Sequence, residues 1–151
     1  MAMTTYLKIR VLKYLFQTTG SGDLATAIGT LVGNTGYYVG LSLTQVDETG
    51  IASVTEPVTT GGSNYARVQL QVGDTNFTTP TTYTLQNKLP VTFATAGADW
   101  GKALSIFLAD TSARATGNVW FYTDLTPAIT IVTTTQVIFG AGNLIFTLDT
   151  V

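Results

Sequence analysis

From Tyr37 to the end of the chain, apolar and polar residues alternate in short runs, and this period of two constrains the fold more than any other feature. Clusters of Gly, Asp, Asn and Thr separate the runs YYVGLSLTQV, YARVQLQV, LPVTFATA, ALSIFLA, NVWFYTDL, AITIV, QVIF and NLIFTL. Alternation puts successive side chains on opposite faces of a strand, and turn residues at this spacing are typical of sandwiches. We therefore predict an all-β fold, an antiparallel β-sandwich of about nine strands, with a jelly roll as one candidate topology.

The composition supports a compact β domain and limits its partners. Threonine fills 30 of the 151 positions, and only 11% of the residues are charged while 45% are hydrophobic. A chain with so little charge either folds tightly or covers much of its surface with neighbouring subunits. No uncharged apolar run approaches the roughly 20 residues that span a bilayer, and a net charge of −2 gives no reason to expect nucleic acid. We therefore expect neither a membrane nor a nucleic acid as partner.

The first twenty residues differ from the remainder in charge. They carry three basic residues and no acidic one, whereas the remainder holds four basic and nine acidic residues. Leu7, Val11 and Leu15 follow helical spacing, with Arg10 and Lys13 on the other side, although the stretch around Leu7 also alternates as a half-buried strand would. The pattern favours a short N-terminal helix. We divide the chain into a helical segment, residues 1–20, that docks on a partner or caps the domain, and a single β-sandwich domain, residues 21–151.

This N-terminal segment supplies the one interface hypothesis that the sequence supports. A short amphipathic helix outside a sandwich is well placed to contact a partner, although most such helices pack on their own domain. In the interface hypothesis, Leu7, Val11 and Leu15 are buried at a contact with another subunit or a partner protein. Arg10 and Lys13 then face acidic groups on the neighbouring molecule.

Two residue types that carry most catalytic and metal chemistry are missing. The chain has no cysteine and no histidine, which excludes thiolate zinc sites and serine–histidine or cysteine–histidine catalysis. Carboxylate chemistry and hard-cation sites built from oxygen ligands remain open on this ground. We assign no catalytic, cofactor-binding or metal-binding residue, and we expect that the protein is not an enzyme and needs no cofactor.

The stretch ADWGKALSIFLAD brackets an apolar run with Asp99 and Asp110. If residues 103–109 form a strand, its ends lie roughly 23 Å apart at about 3.3 Å per residue. Paired catalytic carboxylates sit about 5 to 9.5 Å apart. The two aspartates therefore do not form such a pair. We predict instead that Asp99 begins a turn, with Trp100 folded over the edge of the core, and that Asp110 opens the next turn.

Other polar and aromatic motifs also favour structural interpretations. Asp47 and Glu48 adjoin in a turn without the acid spacing of a calcium loop, so we expect a solvated loop there. The sequence GAGN at residues 140–143 lacks the Lys-Ser/Thr of a phosphate loop and is predicted to be a hairpin turn. Trp120 and Tyr122 should share one face of a strand and Phe121 the other, which favours core packing over a stacking platform. Arg67 is expected to form a strand-edge salt bridge.

Several segments together carry a family resemblance: YLKIRVLKYLF, YYVGLSLTQVDETG, TEPVTTGGSNYARV, ADWGKALSIFLAD and GNVWFYTDLTPAITI…GAGNLIFTLD. They resemble small tailed-bacteriophage virion proteins, which are often labelled tail-fibre-like and some of which look like capsid decoration (cement) proteins. The most specific element combines Gly61, Gly62 and the triplet from Tyr65 to Arg67 with ADWG thirty-odd residues later. These segments are spread over nearly the whole length of the chain.

The resemblance implies a phage virion structural protein. From the resemblance we first expect a decoration protein that binds the outer surface of an icosahedral head and reinforces it. Its expected partners are the major capsid protein and copies of itself, in a homotrimer. The location implied is then the capsid surface of the virion. The alternative is a tail-fibre or adsorption component that binds host surface carbohydrate. The family has no catalytic residues to carry over.

Overall fold

The computed structural model describes residues 2–3, 37–70 and 84–147. Over these residues the only helical element is a four-residue 3-10 helix, Gly50–Ser53. The strands are β1 (Ala2–Met3), β2 (Tyr37–Ser42), β3 (Val68–Leu70), β4 (Thr84–Gln86), β5 (Val91–Thr92), β6 (Gly101–Ala109), β7 (Val119–Ile131), β8 (Ile138–Phe139) and β9 (Ile145–Thr147). All strand pairs are antiparallel. The prediction of an all-β antiparallel fold is confirmed, and the jelly-roll topology stays a prediction.

The strands form one five-stranded sheet and two short ribbons. The sheet has the order β1-β7-β6-β2-β3, and the ribbons pair β4 with β9 and β5 with β8. The ribbons contribute buried side chains to the same apolar cluster as the sheet, so they cover one of its faces. This main core contains Val39, Leu41, Leu70, Ile106, Leu108 and Ile131 from the sheet, and Val91, Phe93, Val137, Leu144 and Phe146 from or beside the ribbons.

The opposite face of the sheet carries a smaller apolar cluster, because successive residues of a strand point to opposite sides. Along β6, Ile106 and Leu108 belong to the main core, whereas Phe107 and Ala109 belong to the smaller cluster. The segment that contains the 3-10 helix packs over this second face through Val46, Ile51 and Val54. A hydrogen bond from the Val46 amide to the Ser105 hydroxyl (3.1 Å) fixes that segment to β6. Both faces of the central strands are therefore covered.

Strand β7 joins two runs that the sequence analysis separated, and its irregularities change which side chains share a face. Leu108 pairs with Phe121 but Ala109 pairs with Val119, so Trp120 occupies a β-bulge. A bulge inserts one residue and interrupts the alternation. Trp120 accordingly contacts the ring of Tyr37 at 5.9 Å, beside the main core, while Tyr122 packs on the smaller cluster. The prediction that Trp120 and Tyr122 share a face is wrong for this reason.

The predicted GAGN hairpin is also wrong in its pairing, although the turn exists. The Asn143 amide donates to the Gly140 carbonyl (3.1 Å), but β8 and β9 pair with β5 and β4 rather than with each other. The buried side chain of Asn87 explains this arrangement. Its amide donates to the Gly140 carbonyl (3.0 Å) and its oxygen accepts from the Leu144 amide (2.9 Å). Asn87 thereby bridges the gap between the two ribbons, in which β8 and β9 run antiparallel to β5 and β4.

The N-terminal segment is described only at its start. Ala2 pairs with Tyr122 and Met3 with Phe121, which adds β1 to the edge of the sheet next to β7. The predicted helix and the interface residues Leu7, Arg10, Val11, Lys13 and Leu15 lie outside the described residues. The first residues of the segment are therefore part of the sheet, and the docking hypothesis for the remainder stays a prediction.

Candidate functional site

The motif TEPVTTGGSNYARV brings two opposite charges into the interior of the protein. Arg67 Nη2 lies 2.9 Å from Glu56 Oε2, and Arg67 Nε donates to Glu56 Oε1 at 2.9 Å. Both side chains have no exposed surface. Two parallel N–H···O bonds of this kind give an arginine–carboxylate pair its geometric specificity. The predicted salt bridge of Arg67 is confirmed, but it is buried rather than at a strand edge.

Tyr65 completes this ion-pair cluster, by which we mean Glu56, Tyr65 and Arg67. The Tyr65 hydroxyl donates to Glu56 Oε1 (2.9 Å) and accepts from the Leu41 amide (3.0 Å). Tyr65 and Arg67 therefore bond the same carboxylate oxygen, Glu56 Oε1. The sequence reasoning missed Glu56, although it belongs to the same motif that carries the resemblance.

Arg67 of this cluster packs on the second face of the sheet, against Phe107. The guanidinium carbon of Arg67 lies 5.0 Å from the centre of the Phe107 ring, within range of a cation–π interaction. On β2, Gly40 faces the same ring, and a Cβ added to Gly40 would lie 2.3 Å from its Cζ atom. Glycine at position 40 therefore lets Phe107 lie flat beneath the charge pair.

The ion-pair cluster also holds the loop between β6 and β7, residues 110–118, against the sheet. Arg67 Nη1 donates to the carbonyl oxygens of Thr111 (2.8 Å) and Thr116 (3.2 Å). In return, the Ala115 amide donates to Glu56 Oε2 at 2.8 Å. Every nitrogen of the Arg67 guanidinium thus has an acceptor, which offsets the cost of burying the charge.

The buried surroundings change the pKa values of two members of the cluster. Burial raises the pKa of the Glu56 carboxyl, but hydrogen bonds from Arg67 and the Ala115 amide, together with the Arg67 charge, outweigh it and leave the pKa below the ordinary 4.5. Burial and the negative charge of Glu56 raise the pKa of Tyr65 well above its ordinary value. Glu56 is therefore ionised and Tyr65 neutral at physiological pH, which keeps the pair intact.

The lowered pKa of Glu56 predicts how stability depends on pH. A carboxyl whose folded pKa lies below its unfolded value stabilises the fold above the unfolded pKa, near pH 4.5, and this contribution is lost as pH falls through the folded pKa. We expect the difference in free energy of unfolding between the native protein and Glu56→Gln to shrink as pH falls from about 7 to about 3. Urea unfolding at a series of pH values measures it. A difference that stays constant over this range would contradict the assignment.

The glycine-rich turn of the same motif packs against the ADWG segment. The Ser63 carbonyl accepts hydrogen bonds from Trp100 Nε1 (2.6 Å) and from the Gly97 amide (3.1 Å). A Cβ added to Gly97 would lie 2.0 Å from the Gly62 carbonyl oxygen, so only glycine permits this approach. Trp100 is 2% exposed, and its ring lies 5.2 Å from that of Tyr65. The two most specific elements of the resemblance therefore meet in one place.

Replacing Trp100 tests how much this junction contributes to stability. Trp100→Phe keeps an aromatic ring but removes the donor to the buried Ser63 carbonyl, so we expect a loss of about 1–2 kcal/mol. Urea unfolding, followed by the fluorescence of the remaining tryptophan, measures this loss. Lys102→Gln, at an exposed position nearby, is the matched control and should stay within about 0.5 kcal/mol. An unchanged midpoint in Trp100→Phe would show that the bond contributes nothing.

Both aspartates have structural roles, but only Asp110 bonds within the loop that it opens, whereas Asp99 bonds a separate turn 34 positions away. Asp99 Oδ1 accepts from the amide (2.7 Å) and hydroxyl (3.0 Å) of Thr133, and these bonds lower the pKa of the exposed Asp99 carboxyl. Asp110 accepts from the amide (2.8 Å) and side chain (2.7 Å) of Asn118. The nine-residue strand β6 separates the two aspartates, a length of roughly 30 Å. They do not form a carboxylate pair.

The remaining candidates are also accounted for by local structure. Asp47 Oδ1 accepts from the Thr49 amide at 2.8 Å, as expected for a solvated turn. Within residues 37–70 and 84–147, no group of three acidic side chains is placed to hold a metal ion. In the same part of the chain no helix is long and apolar enough to span a membrane.

The described residues thus form an antiparallel all-β fold with a buried ion pair on one face of its main sheet. A comparison with family models identifies the family. The model described as Podophage GP4 fiber I protein gp80 matches residues 2–147, nearly the whole of the 151-residue chain. The chain therefore belongs to this family of tailed-phage virion proteins, and it is a tail-fibre-like virion structural protein. The resemblance found from the sequence is confirmed. A search of curated proteins gave no match.

Proposed function

We propose that this protein is a fibre component of a podophage virion. The observation that carries the proposal is the family match, because its description names a fibre protein and it spans residues 2–147. The sequence analysis gave first place to a capsid decoration protein. The family description favours the fibre alternative, and no feature of the described residues singles out a capsid-binding surface.

The geometry supports a structural role rather than a catalytic one. The buried carboxylate of Glu56 is bonded to Arg67, Tyr65 and the Ala115 amide, so its oxygens are engaged in holding the fold. Asp99 and Asp110 bind turn residues at opposite ends of β6. We therefore propose that the protein is not an enzyme. From the family resemblance we also propose that it assembles with copies of itself, with a homotrimer as the expected form.

The location in the particle separates the fibre proposal from the decoration alternative. We expect quantitative mass spectrometry of purified virions to find a handful of copies for each particle, with the major capsid protein as the internal standard. Gold-labelled antibody against this chain should bind at the tail in electron micrographs. Hundreds of copies for each particle, with label spread over the head, would overturn the fibre proposal in favour of decoration.

The non-catalytic proposal has its own test. We expect the purified protein to release no reducing ends from host surface polysaccharide, and Asp110→Asn to cost about 1 kcal/mol of stability because one oxygen that accepts from Asn118 is replaced by a donor. Asp99→Asn serves as a second variant at the other end of β6. Polysaccharide cleavage that disappears in either variant would show that a carboxylate does chemistry.

A further inference from the structure

The loop at residues 110–118 is held in place almost without apolar contacts. None of its nine residues is buried, and residues 112–117 are exposed. A loop of this kind gains little from the hydrophobic effect to offset the conformational entropy lost on ordering. Hydrogen bonds must therefore fix its conformation.

Asp110 and Asn118 bond each other at the base of the loop. The hydrogen bonds that join the loop to the sheet's second face converge on the ion-pair cluster. Arg67 binds the carbonyl oxygens of Thr111 and Thr116, near the two ends of the loop. The Glu56 carboxylate binds the Ala115 amide, and the Glu56 carbonyl accepts from Arg114 Nη2 at 2.7 Å. The two partners of one ion pair thus contact four positions of the loop, of which Arg114, Ala115 and Thr116 are consecutive.

The backbone of the loop is also unfavourable at the point where Glu56 binds it. Ala115 has a φ of +55°, a left-handed conformation that non-glycine residues seldom adopt and that costs of order 1 kcal/mol. Such a conformation persists only where the surroundings determine it. The hydrogen bond from the Ala115 amide to Glu56 Oε2 holds the backbone in this conformation.

A buried ion pair is a poor way to gain stability, since an apolar pair of similar volume is often at least as stable. We propose that the Glu56–Arg67 pair is a conformational device for the 110–118 loop: it holds this exposed loop in a single conformation. The domain itself is stabilised by the two apolar clusters. The loop is therefore the part of the molecule whose structure depends on the charges.

Hydrogen exchange in a pair of variants tests this division of roles. Glu56→Leu/Arg67→Met keeps the volume of the pair and removes both charges. We expect exchange at the Ala115 amide, which loses its acceptor on Glu56, to rise at least tenfold, because a loop freed to open exposes it. The Thr133 amide, which is bonded to Asp99 in a separate turn, is the internal reference and should keep its exchange rate. The denaturation midpoint should fall much less than in Arg67→Met.

Arg67→Lys provides a second route to the same result. Lysine keeps the charge opposite Glu56 but lacks the planar fork that reaches two loop carbonyls together with the carboxylate. We expect a folded domain whose Ala115 amide exchanges faster while the Thr133 amide does not. The proposal is overturned if Ala115 stays protected in either variant. It is also overturned if exchange rises equally at Thr133, or if the double variant does not fold, since the pair would then serve the whole domain.

Discussion

Arg67→Met is expected to destabilise the protein by about 3–5 kcal/mol, among the largest effects available to a single substitution, because it leaves the Glu56 carboxylate buried without its cation. Glu56 has no exposed side-chain surface, so water cannot replace the lost guanidinium. The carbonyls of Thr111 and Thr116 lose a donor as well. Since domains of this size have about 5–15 kcal/mol of total stability, the variant should unfold at a much lower urea concentration.

The double variant Glu56→Leu/Arg67→Met is the control for this prediction. In the double variant no carboxylate is left buried without its cation. We therefore expect it to recover much of the stability that Arg67→Met loses. Recovery should be incomplete, because the Ala115 amide and the Tyr65 hydroxyl lose their acceptor. A double variant less stable than Arg67→Met would show that the charges themselves stabilise the domain.

Phe93→Ala is expected to cost about 3–5 kcal/mol, for a different physical reason. Phe93 is fully buried between the sheet and the ribbons, with its ring 6.3 Å from each of the rings of Tyr65, Trp100 and Phe139. Truncation removes apolar contacts and leaves a cavity that rigid neighbouring rings cannot close. Urea or thermal unfolding measures the loss.

A smaller reduction in side-chain volume at the same position is the matched control. Phe93→Leu keeps most of the buried apolar surface and should cost clearly less than Phe93→Ala. Phe139→Ala, at a half-buried position, should also cost less than Phe93→Ala. Equal losses in Phe93→Ala and Phe139→Ala would mean that Phe93 does not lie at the centre of the core.

The fold class follows from local sequence pattern. Alternation and turn residues report backbone geometry over a few residues, and β2, β6 and β9 appear where the pattern predicts them. Asp110 was also predictable as a turn residue, because aspartate in turns bonds nearby amides. The bond from Thr133 to Asp99 was not, since it spans 34 positions. By contrast, the short strand β4 was missed, since three residues among turn-like neighbours give too little periodicity to detect.

The partners of the buried residues were less predictable. Arg67 was expected to form an ion pair, but nothing local to it identifies Glu56, eleven positions away, as its partner or predicts full burial. The signal available was the motif that carries the family resemblance, which contains Glu56, Tyr65 and Arg67 together. The spacing of residues in this motif marked the segment as specific, but it did not indicate the role of the segment.

The sequence by itself determined the all-β fold class, the turns around β6, and the exclusion of histidine and cysteine chemistry, because each depends on residue type and short-range spacing alone. The tertiary structure decided which strands pair, where Trp120 leaves the alternation, and that Glu56 and Arg67 hold a loop. Arg67 contacts Thr111 and Thr116 across 44 and 49 positions, and Glu56 reaches Ala115 across 59. Such contacts exist only once the sheet has brought distant segments together, since no periodic pattern encodes a meeting of residues so far apart.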